Sequence, residues 1–106
     1  MTQISISRWL GPLELGPGQS KTWFQDDVNK SATRWFTPVP INDLIDDVVM
    51  HDQKVAISEV YYILKGKNHT IDGTGGTGTL QVNVTVRNLD ADNRVAFEIL
   101  RTEVWA

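Results

Sequence analysis

Catalysis or metal binding would have to start from very few residues. The chain of 106 residues carries two histidines, His51 and His69, and no cysteine. Thiolate nucleophiles, disulfides and cysteine-ligated metals are thereby removed, and two imidazoles limit any His-rich metal site. No serine sits in a Gly-x-Ser-x-Gly elbow and no His-Glu-x-x-His pair is present. Acidic residues gather as Asp26-Asp27 and as Asp43, Asp46 and Asp47. Calcium takes roughly six to eight oxygen ligands, and neither group has the spacing of a calcium loop. A solvated face is the expectation, with Asp43 in the first turn of a short helical stretch. The run Asp72-Gly73-Thr74-Gly75-Gly76-Thr77-Gly78 is glycine-rich, but a phosphate-cradling loop also needs Gly-Lys-Ser/Thr opening a helix. It leads instead into a strand, so a flexible hairpin or crossover loop is the reading, with a loop that contacts ligand as the alternative. No enzyme, cofactor or metal is expected.

Aromatic residues are the stronger signal. Trp23-Phe24, Trp35-Phe36 and Tyr61-Tyr62 are doublets within segments of strand character. Neighbouring strand residues point to opposite faces, so each doublet sends one ring inward and one outward. Outward rings need something to pack on. Rings stack on the apolar faces of sugars, while Asp, Asn and loop backbone groups bond sugar hydroxyls. The expected function is therefore a non-catalytic, lectin-like carbohydrate-binding domain. Its candidate ligand-binding residues are Trp23, Trp35, Tyr62, Asp26, Asp27 and Asn29, and oligomerisation would add avidity. Trp9 and Trp105 could form a second aromatic patch where terminal strands pair. The alternative is a structural or assembly subunit that uses the outward aromatics as protein-interface anchors. A sugar site should gather aromatics and carboxylates at one loop end. An assembly surface should be broad and apolar along strand faces.

Charge narrows the partners. The net charge is -3 and the pI about 5.2, and Lys65 with Lys67 is the nearest approach to a basic cluster. Neutralising many phosphates needs a basic patch, so neither nucleic acid nor an anionic membrane surface is expected. The N-terminus lacks the charged start and apolar run of a secretory signal. No stretch reaches the ~20 apolar residues of a membrane span. Together with the absent cysteine, this favours a cytoplasmic or non-classically exported protein, without fixing the compartment. The sequons at Asn29, Asn68 and Asn83 are read as chance in a threonine-rich chain.

These residues must be positioned by strands. From Thr79 to Asn88, Leu80, Val82, Val84 and Val86 alternate with polar residues, a period of two. Asp90-Ala91-Asp92-Asn93 is a turn, and alternation resumes from Arg94 to Trp105. These two segments are expected to form a C-terminal hairpin. The phase slips at Ile99-Leu100, as a β-bulge or a change of packing environment would produce. Lys54 to Lys65 is apolar on both faces in its second half and reads as a central strand. Ile4-Ile6 and Leu13-Leu15 mark two short strands, and Gly16-Pro17-Gly18 a turn. Residues 20–25 and 33–37 suggest a hairpin with Trp23 opposite Phe36 and Phe24 opposite Trp35. Ile41 to Met50 has helical spacing, with Asn42 as a cap, but its shortness favours a loop or one helical turn near residues 42–49. Seven to eight short strands in a single domain predict an antiparallel β-sandwich of immunoglobulin-like or jelly-roll style, with a small barrel as the alternative.

Leu13-Glu14-Leu15-Gly16-Pro17-Gly18-Gln19-Ser20 resembles the turn between strands in many bacterial immunoglobulin-like domains. Val84-Thr85-Val86-Arg87-Asn88 resembles the central strand of the same broad group. Both support the architecture and carry no functional residues.

Overall fold

The computed structural model describes residues 2–41, 52–66 and 78–106. Within them six strands form: β1 (Gln3–Leu15), β2 (Ser20–Gln25), β3 (Thr33–Pro40), β4 (Val55–Lys65), β5 (Thr79–Asn88) and β6 (Val95–Trp105). They make two antiparallel three-stranded sheets, ordered β1-β6-β3 and β2-β5-β4. Six strands replace the expected seven to eight. Part of the difference is that Ile4-Ile6 and Leu13-Leu15 belong to one long β1 rather than to two strands. The expected helical turn near 42–49, the histidines, Asp43, Asp46, Asp47 and the glycine run at 72–77 lie outside the described residues.

The valine alternation of β5 drives the core. Val82, Val84 and Val86 are fully buried, and Val95, Phe97 and Ile99 of β6 meet them from the other sheet together with Leu15 and Val28. The Trp23 ring meets Phe97 edge-on at 5.8 Å between centroids, a favoured aromatic geometry. Burying side chains of this size stabilises by roughly 1.5–3 kcal/mol each, so this cluster decides which faces turn inward.

Three expected pairings are corrected. Strands β2 and β3 do not form a hairpin, because they lie in different sheets: Trp23 is opposite Val84 and Phe24 opposite Asn83, whereas Trp35 is opposite Thr102 and Phe36 opposite Arg101. Strands β5 and β6 do not pair either. The turn between them crosses from one sheet to the other, which lets the valines of β5 and Val95, Phe97 and Ile99 of β6 join one core. Among the described residues β4 is an edge rather than a centre, with β5 on one side only.

Two of the crossings between the sheets are held by Asn88. Its Nδ2 donates to the carbonyls of Gly16 at 3.0 Å and Asn93 at 2.8 Å, and its Oδ1 accepts from the Asp90 amide at 2.9 Å. The turn after β1 and the turn after β5 are thus tied to one buried side chain.

Irregularity concentrates in β1. Its register against β6 shifts between Arg8 and Leu10 and again between Leu10 and Leu13. The first bulge, opposite Ile99-Leu100, frees Trp9 to pack on Phe36 at 4.8 Å and to donate its indole N–H to Gln25 at 2.7 Å. The slip anticipated in β6 is therefore answered by an extra residue on its partner strand. At the second bulge Gly11 has φ 142°, and a Cβ there would lie 2.6 Å from the Glu98 Cβ. Only glycine fits that position without displacement.

Candidate functional site

Directly opposite residues on paired strands share a face, so the registers sort every exposed side chain. On the outer face of the β2-β5-β4 sheet, one row runs Phe24, Asn83, Tyr61, and the next brings Ile63 beside Gln81. Phe24 is 60% and Tyr61 39% exposed, while Asn83 and Gln81 between and beside them are only 6% and 5% exposed. Asn83 donates to Gln81 at 3.0 Å, and Gln81 donates to the Asp26 carboxylate at 2.8 Å. Lys65 lies 3.8 Å from the same carboxylate. Further along, the Thr22 and Thr85 hydroxyls bond at 2.7 Å. Two rings set two strand spacings apart, about 10 Å, thus flank a line of amides that ends in a carboxylate.

The outer face of the β1-β6-β3 sheet has a different chemistry. Its rows are Ile4, Val104, Thr33; then Ile6, Thr102, Trp35; then Arg8, Leu100, Thr37. Ile4, Ile6 and Trp35 are each more than half exposed. Behind them, on the inner side, stand Ser5, Ser7, Arg34, Arg101 and Glu103, with Phe36, opposite Arg101, as an apolar exception packed against Trp9 and the core. Polarity is inverted in this half of the sheet, with charge facing in and hydrocarbon facing out. The inner charges are bound to one another. Glu103 Oε2 accepts from Arg34 Nε at 3.0 Å, and Glu103 Oε1 lies 3.3 Å from Arg101 Nε. Arg101 Nη1 donates to Gln25 at 2.8 Å, and Arg34 Nη2 reaches the Asn29 carbonyl.

The third exposed feature is the second half of β4. Val60, Tyr61, Tyr62, Ile63 and Leu64 are between 39% and 56% exposed. A register shift at Ser58 changes the face on which successive residues fall. Val60, Tyr62 and Leu64 then lie on the inner side, and Tyr61 and Ile63 on the outer.

The residues expected to bind ligand are therefore dispersed. Trp23 is half-buried against the core, with Lys21 Nζ 5.6 Å from its ring centroid. Trp35 lies on the outer face of one sheet and Tyr62 on the inner side of the other. Asp26, Asp27 and Asn29 share the loop after β2, where Asp27 takes φ 55° and the Asn29 side chain accepts from the Ser31 amide at 2.9 Å. That loop docks by its own backbone, the Val28 amide donating to the Leu80 carbonyl at 2.9 Å. Of the six, only Asp26 joins the amide line.

Phe24, Tyr61, Gln81 and Asn83 were not singled out by sequence, although two of them are the doublet partners of the chosen rings. Strands β1 and β6 do pair, but Trp105 stands opposite Gln3 while Trp9 turns toward Phe36, so these two do not form one patch. Among the described residues, no three acidic or histidine side chains converge on a metal-sized site, and no helix is long and apolar enough to cross a membrane. Comparison with protein-family models, with curated proteins and with solved structures finds no match.

Proposed function

We propose that this chain is a non-catalytic structural or assembly subunit, folded as an antiparallel β-sandwich of the broad immunoglobulin-like or jelly-roll style, with six strands among the described residues. The observation that carries the reading is the inverted polarity of the β1-β6-β3 sheet. A lone domain gains nothing by turning Ile4, Ile6, Trp35, Leu100 and Val104 outward while Arg34, Arg101 and Glu103 face inward. Covering the outer surface with another subunit removes that apolar area from water, with Trp35 as the large anchor that interfaces favour. Sedimentation of the full chain over a wide concentration range tests this. Assembly that weakens in Trp35→Lys, with the circular dichroism spectrum unchanged, is the expected result. A chain that stays monomeric throughout overturns the reading.

A second reading, lectin-like carbohydrate binding, is favoured by the Phe24 and Tyr61 rings beside Asn83, Gln81 and Asp26. It relocates the sugar platform from the loop after β2 to the outer face of the β2-β5-β4 sheet. Screening a glycan panel decides it. Binding that disappears in folded Phe24→Ala and Tyr61→Ala supports the platform, and a panel without any bound glycan removes it.

A further inference from the structure

Resting on the assembly reading and naming its partner, we infer that a second copy of this chain adds to the edge of β4 that no described strand covers, in antiparallel register about a two-fold axis through Tyr62. The four edge strands differ in how they discourage such pairing. Strand β1 is interrupted by two register shifts and by Gly11-Pro12. Strand β3 carries Pro38 and Pro40, and β2 is only six residues long, with Lys21 exposed. Short strands, bulges, prolines and lysines are the usual guards of a sheet edge. Strand β4 runs 11 residues without a proline, and its five consecutive apolar residues, Val60 to Leu64, are exposed on both faces.

Charge fixes the register. Glu59 and Lys65 bracket the apolar run, and both lie on the outer face, opposite Thr85 and Thr79 respectively. With Tyr62 facing the partner's Tyr62, Glu59 falls opposite the partner's Lys65, and Lys65 opposite the partner's Glu59. Val60 then meets the partner's Leu64, and Tyr61 meets the partner's Ile63. Moving the axis by one residue in either direction separates the opposite charges and sets each against an uncharged position or beyond the strand end. The strand is therefore self-complementary in polarity and charge about one point, the requirement of a two-fold interface. Main-chain hydrogen bonds would join the two β2-β5-β4 sheets into one six-stranded sheet, with cross-strand pairs fixing its register. Lys65 would exchange its exposed pairing with Asp26, which contributes little at such a surface, for one with the partner's Glu59.

Light scattering on the full chain, combined with charge exchange, tests the register. In Trp35→Lys, where the sheet-face contact is removed, the expected result is a dimer of twice the 11.9 kDa chain mass, dissociated when Tyr62→Lys is added. Glu59→Lys and Lys65→Glu should each weaken dimerisation about tenfold, because each sets like charges opposite one another at two symmetric places. The double variant Glu59→Lys/Lys65→Glu should restore it. These two positions are exposed, so the charge variants remain informative even if Tyr62→Lys does not fold. An assembly indifferent to Tyr62→Lys, or a double variant no better than the singles, overturns this edge while leaving the assembly reading intact. A monomer at every concentration overturns both.

Discussion

With its side chain fully buried, Asn88 must place its amide hydrogens and its carbonyl oxygen against protein. It does so on three backbone groups from two different turns. Asn88→Ala should cost about 2–3 kcal/mol, because it takes a donor from the half-buried Asn93 carbonyl and an acceptor from the Asp90 amide, while the Gly16 carbonyl keeps the Gln19 amide, and chemical denaturation would reveal the loss as a lower midpoint with unchanged slope. The Arg34, Arg101 and Glu103 cluster is less sealed, since the Glu103 and Arg101 side chains retain 18% and 22% exposure. Glu103→Gln should therefore destabilise by about 2 kcal/mol, below the roughly 3–5 kcal/mol of breaking a fully buried pair. A loss under about 0.5 kcal/mol by the same measurement would mean that solvent already screens the two arginines. At this scale sequence was informative about type and silent about partners. Asn88 reads as one more turn-side asparagine until the two crossings are brought together around it.

Among the strands, the valine alternation from Thr79 to Asn88 located β5 at its observed limits, because a half-buried strand writes its period directly into the chain. Its neighbours were harder to foresee. Residues 20–25 and 33–37 flank a short polar loop as a hairpin would, and nothing local records that the two segments enter opposite sheets. The apolar run of β4 reads as a central strand because hydrocarbon on both faces signals burial without saying by what. Of the candidate site, Asp26 was legible as a loop carboxylate near an aromatic doublet. Asn83 and Gln81 were hidden in the polar row of β5, where solvent contact is the ordinary expectation. The two tryptophans in the doublets now separate experimentally. Trp23→Ala should cost about 3 kcal/mol through the cavity beside Phe97. Trp35→Ala should change the stability of the isolated chain by less than about 0.5 kcal/mol. Comparable losses in thermal unfolding of the two variants would contradict the assignment of inner and outer rings.

For the molecule as a whole, association and stability are linked. If the folded chain pairs along β4 and the unfolded chain does not, mass action raises the melting temperature with protein concentration. Calorimetry across a wide concentration range should show that rise for the Trp35→Lys chain and lose it when Tyr62→Lys is added. A melting temperature independent of concentration in both would place β4 outside any folded-state association.

Topology also sets the timing of folding during synthesis. The first sheet pairs Gln3 with Trp105 and Thr33 with Val104, and the second pairs Ser20 with Arg87. The central strand of each sheet is encoded after both of its neighbours. A ribosome that has made β1, β2, β3 and β4 has therefore made four flanks with nothing between them. No ladder of the second sheet can close until residues 79–88 emerge, and none of the first until residues 95–105 follow; loop closure over the longer separations makes pairing slow. Throughout that interval Val60 to Leu64 is an unpaired, strand-prone, apolar segment. The nascent chain is then most exposed to aggregation, and holdase chaperones that bind extended apolar segments have their longest opportunity to act.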